Sequence, residues 1–121
     1  MAMMVVGATG FVGGIIANNL AKQGTGTSAL VRHGRAHAKA QQLLSAGIDI
    51  VDGDLTNHGS LEDIFKDVEV VICTATSMPT AANDGLHKVD HDGVLALIDA
   101  AERHDVRRFV YTSYSGNIRA D

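Results

Sequence analysis

Three glycines at a constant spacing, Gly7, Gly10 and Gly13, interrupt an apolar run near the start of the chain: Val5-Val6-Gly7-Ala8-Thr9-Gly10-Phe11-Val12-Gly13. Glycines in this pattern suit anion binding when they lie between a strand and a helix. The first permits a tight turn, the second lets the backbone approach a pyrophosphate with no Cβ in the way, and the third lets the helix pack against the strand. The helix start then presents N–H groups and a partial positive charge to the phosphates. A glycine triplet alone is a weak signal, so the flanking elements decide its value.

Those flanks have the required character. Met3 to Val6 form an apolar stretch without polar alternation, as expected of a strand buried on both faces of a parallel sheet. Ile15, Ile16 and Leu20 then recur at helical spacing, and Gly24 offers a C-terminal stop. Further on, 27–32 reads as a second strand, about 36–46 as a helix stopped by Gly47, and 48–52 as a third strand. Ser60, with Asp63 three residues on, resembles an N-cap leading a short helix through Leu61, Ile64 and Phe65. Residues 68–74 are nearly all apolar, which predicts a strand flanked on both sides. Pro79 and Gly85 mark a loop, a helix carries Val89, Leu95, Leu97, Ile98 and Ala101, and Phe109 to Tyr111 form a fifth strand. This alternation predicts an α/β fold: a doubly wound parallel sheet of strand order 3-2-1-4-5, with ligands at the carboxyl ends of its strands.

Strand ends therefore select the next candidates. After the second strand, where an acidic residue would hold the ribose 2′-hydroxyl of NAD, the chain has Arg32, followed by His33 and Arg35. A guanidinium suits a 2′-phosphate, so NADP is expected in preference to NAD, with a solvated surface arginine as the alternative. After the third strand, Asp54 could accept from an adenine amino group while Leu55 packs on the ring; a turn aspartate is the alternative. After the fourth strand, Thr74, Ala75 and Thr76 are small enough to let a dinucleotide lie across the sheet edge.

Composition narrows the class. The 121 residues suffice for one domain, and a net charge of −4 without a basic run argues against nucleic acid. No stretch is apolar enough to span a membrane and no charged leader precedes the glycine turn, which leads to the expectation of a cytoplasmic protein. The single cysteine, Cys73, lies in the most apolar strand and reads as a core residue. His33 and His37, and His87 and His91, lie four apart, but neither pair has a third ligand at convincing spacing, so no metal is expected. Glu102, Arg103, Asp105, Arg107 and Arg108 read as a solvated helix end and loop.

Taken together, Val6-Gly7-Ala8-Thr9-Gly10-Phe11-Val12-Gly13, Ala29-Leu30-Val31-Arg32, Gly53-Asp54-Leu55 and Arg108-Phe109-Val110-Tyr111-Thr112-Ser113 resemble the atypical and extended short-chain dehydrogenase/reductases. Within these the chain is most similar to NmrA-like NAD(P)-binding proteins and their quinone-oxidoreductase and isoflavone-reductase-like relatives, with a further likeness to NAD-dependent epimerases. The resemblance implies one NAD(P)-binding Rossmann domain over 1–121, the N-terminal part of a longer fold without its C-terminal substrate region. It implies cofactor contacts from Gly7, Thr9, Gly10, Phe11, Val12, Gly13, Arg32, Asp54 and Leu55.

Two functions follow from that resemblance. One is an NADPH-dependent oxidoreductase acting on an unidentified small molecule, the nicotinamide lying near Thr74, Thr76 and Ser113. The other is a non-catalytic NADP-binding redox sensor or regulator. Many members of the superfamily pair a serine or threonine after the fifth strand with a Tyr-x-x-x-Lys motif, whose tyrosine donates the proton. Ser113 stands in the first region as the catalytic candidate, with a strand-capping hydroxyl as the alternative. No Tyr-x-x-x-Lys occurs: four residues after Tyr111 and Tyr114 stand Ser115 and Ile118. With only Tyr114 to Asp121 beyond the fifth strand, one face of Val70, Ile72, Val110 and Tyr111 is expected to stay open and to favour a homodimer.

Overall fold

A computed structural model of the chain describes residues 2–55, 57–74 and 92–111. The elements run β1 (Ala2–Val6), α1 (Phe11–Lys22), β2 (Gly26–Val31), a 3-10 turn at Gly34–Ala36, α2 (Ala40–Ser45) and β3 (Asp49–Asp52). A second 3-10 turn at His58–Leu61, then β4 (Val70–Cys73), α3 (Val94–Arg103) and β5 (Arg108–Tyr111) complete the order.

The five strands form one sheet in the order β3-β2-β1-β4-β5, all neighbours parallel, as the alternation of elements predicts. Register places Ile50, Ala29, Val5, Ile72 and Val110 in one row across it, and Val51, Leu30, Val6, Cys73 and Tyr111 in the next. Successive residues of a strand point to opposite faces, so the two rows meet different layers. On the first face, α1 and α2 bring Ala17 and Leu43 against Val5, Ala29, Val31 and Ile48. On the second, α3 and the segment after β3 bring Leu97, Ala101, Leu61 and Phe65 against Met4, Val71 and Cys73. Right-handed crossovers require this split: β1 to β2 runs one way along the sheet with its helix on one face, and β4 to β5 runs the other way with its helix on the opposite face. The reversal between β1 and β4 is the switch point, directly beyond which the glycine turn lies.

Several local expectations change. The helix expected over 36–46 shortens to Ala40–Ser45, because His33 (φ 69°) and Gly34 (φ 53°) take left-handed conformations and His37 Nδ1 accepts the Lys39 N–H at 3.0 Å. A side chain that accepts a nearby backbone N–H competes with the helical ladder. The same geometry keeps His33 and His37 off a common helical face; His87 and His91 lie outside the described residues, as do Pro79, Gly85 and Val89. Ser60 does not cap an α-helix either, since it stands within the 3-10 turn His58–Leu61. In α3, Leu97 and Ala101 are buried as the pattern predicts, whereas Leu95 is exposed. Tyr111 packs toward α3 with Phe109, so it does not belong to the open face; Met3 takes its place beside Val70, Ile72 and Val110. These residues, with Glu69, Arg107 and Arg108, line a concavity of about 390 Å3, and Val110 is 41% exposed.

Candidate functional site

The strand-to-helix turn is built without side chains where a ligand would approach. Gly7 has φ 99°, in the region that favours glycine, and its carbonyl accepts the Gly10 N–H at 3.0 Å. Gly10 is extended (φ −88°, ψ 176°) and occupies the N-cap of α1 with no side chain capping that end and no acidic residue in the first turn. The first-turn N–H groups and the dipole are thus directed outward, uncompensated by a carboxylate. Gly13 is buried, and a Cβ there would clash with the Gly7 carbonyl, lying 2.6 Å from its carbon and 2.7 Å from Thr74 Oγ1. Only glycine lets α1 start this close to β1, which is what the spacing of the three predicts.

Two concavities flank the turn. One, of about 150 Å3, is lined by Val6, Gly7, Leu30, Arg32, Gly53, Asp54 and Leu55, so the sheet brings together the expected residues from the ends of β1, β2 and β3. Its apolar floor and its cation at the rim suit a flat heterocycle with an anionic substituent. Leu55 is 8% exposed and packs in the core with Leu30, so it offers an edge to this space, not a free side chain. The other, of about 280 Å3, is lined by Ala8, Thr9, Gly10, Gly14, Asn18, Lys39, Gln42 and Leu43. Lys39 Nζ donates to the Thr9 carbonyl at 2.8 Å, which sets a second cation at the turn. Arg32 and Lys39 therefore line the concavities on either side of Gly7–Gly10.

Phe11 and Val12 stand at the exposed start of α1, Phe11 at 84% exposure. Thr74 faces inward: its N–H and its hydroxyl both donate to the Val6 carbonyl, at 2.8 and 3.2 Å. Ala75, Thr76 and Ser113 lie outside the described residues.

Four residues take parts that the sequence alone does not assign to them. Lys39 lies within a segment expected to be ordinary helix; the signal is the run of cations from Arg32 through Arg35 to Lys39 after β2. Ser60, read as a cap, instead holds the loop after β3: its Oγ accepts the Asp54 N–H at 2.9 Å and lies 2.7 Å from the Asn57 carbonyl. Gly53 gives Leu30 room to lie beneath the loop, since a Cβ at Gly53 would press on that side chain. Gly34 plays a similar part at the β2 end, where an added Cβ would lie 3.1 Å from the Asp52 Cβ.

Comparison with known proteins agrees with this architecture. The chain is 36% identical over 113 residues to the photosystem II assembly factor Ycf39 of Cyanophora paradoxa, covering 93% of this chain and 34% of that protein. It is 30% identical over 121 residues to isoflavone reductase homolog P3 of Arabidopsis thaliana, covering 96% of this chain and 36% of that protein. A short-chain dehydrogenase/reductase superfamily protein from Agrobacterium tumefaciens, solved with bound NAD, superimposes with a TM-score of 0.77 at 27% identity, over 93% of this chain and 32% of that one. The chain thus spans about a third of the length of the curated relatives it matches. A model of the NmrA-like family matches residues 2–120, so the chain belongs to the NmrA-like family.

Proposed function

We propose that this chain is the dinucleotide-binding part of an NADPH-dependent reductase of the NmrA-like type. The observation that carries the reading is the strand-to-helix turn at the sheet's switch point, where Gly13 meets Gly7 and the uncapped start of α1 points outward. A pyrophosphate fits there, with Gly7, Thr9, Gly10, Phe11, Val12 and Gly13 around it. The adenine lies in the concavity of Arg32, Asp54 and Leu55. The relative solved with bound NAD supports a dinucleotide as such. NADP in preference to NAD is supported by Arg32 and Lys39, since a 2′-phosphate gives each a charge-assisted partner that a bare ribose lacks. When bound, the cofactor would supply the hydride; Ala75, Thr76 and Ser113 are assigned to its nicotinamide end, whereas Thr74, expected there from the sequence, spends its hydroxyl on the Val6 carbonyl. Titration calorimetry with NADP and NAD tests the reading: tighter binding of NADP is expected, and equal affinities would overturn the preference.

A second reading is a non-catalytic NADP-binding regulator, favoured by the likeness to an assembly factor. Oxidation of NADPH in the presence of a panel of quinones and aldehydes separates the two, because turnover would exclude the regulator. No helix among the described residues is long and apolar enough to cross a membrane. Of the exposed surfaces, the β4–β5 face is assigned to a second copy. Its apolar row is rimmed by Glu69 and by Arg107, whose Nη1 lies 3.8 Å from the Glu69 carboxylate, so the rim carries both signs and can complement itself across a two-fold axis. A monomer at high concentration in size-exclusion chromatography would overturn that pairing.

A further inference from the structure

Thr74 is set apart from the other expected cofactor contacts by where its hydroxyl is spent. That hydroxyl has one proton, and it goes to the Val6 carbonyl, the same acceptor that takes the Thr74 N–H. On its other side Oγ1 would meet a Cβ at Gly13 at 2.7 Å, so the oxygen fills the space that Gly13 leaves open in the first turn of α1. One side chain, from the end of β4, thus touches the residue before the glycine turn and the glycine that ends it, and Gly13 in turn abuts Gly7.

We infer that Thr74 is a positioning residue for the pyrophosphate turn: it fixes Val6 and Gly13 relative to each other and so sets the direction of the α1 start. This role rests on the dinucleotide reading above and assigns Thr74 no contact with the ligand. It makes a selective demand. Ligands held by the turn need Thr74, whereas a ligand held only by the pocket of Arg32, Asp54 and Leu55 does not.

Calorimetry on the full chain with NADP and with adenosine 2′-monophosphate, which lacks the 5′-phosphates, provides the test. Thr74→Val replaces the hydroxyl with a methyl that crowds Gly13, and Thr74→Ala removes it without added bulk. Both are expected to weaken NADP about tenfold, the loss of roughly one hydrogen-bonded restraint. Thr74→Ser, which keeps the hydroxyl, is expected to remain within about twofold of the unmodified chain. Binding of adenosine 2′-monophosphate is expected to be unchanged in all three. If Thr74→Val does not fold, Thr74→Ala carries the comparison. Unchanged NADP affinity in Thr74→Ala, or equal losses for both ligands, would overturn the positioning role while leaving the dinucleotide reading intact. Failure of the unmodified chain to bind NADP or NAD would overturn that reading and this role with it.

Discussion

Lys39 Nζ and the Thr9 carbonyl are joined by a 2.8 Å hydrogen bond that links the start of α2 to the glycine turn across 30 residues of sequence. The bond is exposed, so the ammonium exchanges it readily for water or for a ligand anion. Lys39→Met keeps most of the stem and removes the charge. It is expected to weaken NADP about tenfold, the worth of one charge-assisted bond, and to leave NAD within about twofold. Calorimetry with both dinucleotides at one salt concentration checks this, and an equal loss for the two would assign Lys39 to the pyrophosphate instead.

Arg32 stands at the rim of the adenine-sized concavity. Arg32→Ala is expected to remove about 1.5–3 kcal/mol of NADP binding, roughly ten- to a hundredfold, with little change for NAD. The ratio of the two dissociation constants is the readout; a ratio unmoved by the substitution would return Arg32 to the role of a solvated surface cation.

Gly13→Ala tests the close approach. The added Cβ meets backbone at Gly7, which has no flexible end to swing away, so α1 must move off β1. Loss of detectable dinucleotide binding is expected, with a fall in melting temperature. An alanine variant that bound as tightly as the unmodified chain would exclude the turn as the pyrophosphate site.

Leu97 is fully buried on α3 against the β4 side of the sheet. Leu97→Ala is expected to cost about 2–5 kcal/mol of stability through lost burial and the cavity left behind. Urea denaturation monitored by circular dichroism measures it. A loss under 1 kcal/mol, on the order of a surface substitution, would mean that α3 does not close this half of the core.

Acid should weaken one surface contact in a definite direction. Arg103 Nη1 donates to Glu62 Oε2 at 2.7 Å, and this bond holds the Glu62 carboxyl below its ordinary range, with further lowering by His104, while Glu62 raises Arg103. A carboxyl lowered in the folded state stabilises it above the unfolded carboxyl's pKa, and that contribution disappears as pH falls through the lower, folded value. Melting curves of the unmodified chain and Glu62→Gln should therefore differ most near neutral pH and converge as the solution is acidified below the usual carboxylate range. Curves that separate further in acid would contradict the sign.

The sequence reveals those parts of the site that depend on local backbone geometry. Gly7, Gly10 and Gly13 are legible because a turn between a buried strand and a helix imposes a spacing, and apolar runs such as Met4 to Val6 are legible because both their faces are covered. The strand order follows from alternation and handedness alone. What the sequence conceals is set by contacts between distant segments. Lys39 reaches Thr9 only because the chain turns left-handed at His33 and Gly34, and neither a helical pattern nor propensity reports that turn. Ser60 has the spacing of a capping box, yet the Asp54 N–H, six residues back, takes its oxygen first. Tyr111 and Val110 are neighbours in β5 and so point to opposite faces, and which of them meets α3 is set by the register of β5 on β4, which the apolar run Phe109 to Tyr111 does not specify.

The bonds from Thr74 to Val6 span 68 residues of chain. A turn completed by so distant a segment cannot mature while the polypeptide is still arriving piece by piece. β1, α1 and β2 are local and can associate early, but the chain leaving β3 must cross β2 and β1 before β4 docks on the far side of β1 and the loop-closure cost is recovered. Full affinity for a dinucleotide is therefore a late event in folding of this chain, and that ligand acts as a reporter of completed topology: intermediates that already have the glycine turn and both its flanking elements are expected to bind it weakly until the fourth strand is in place.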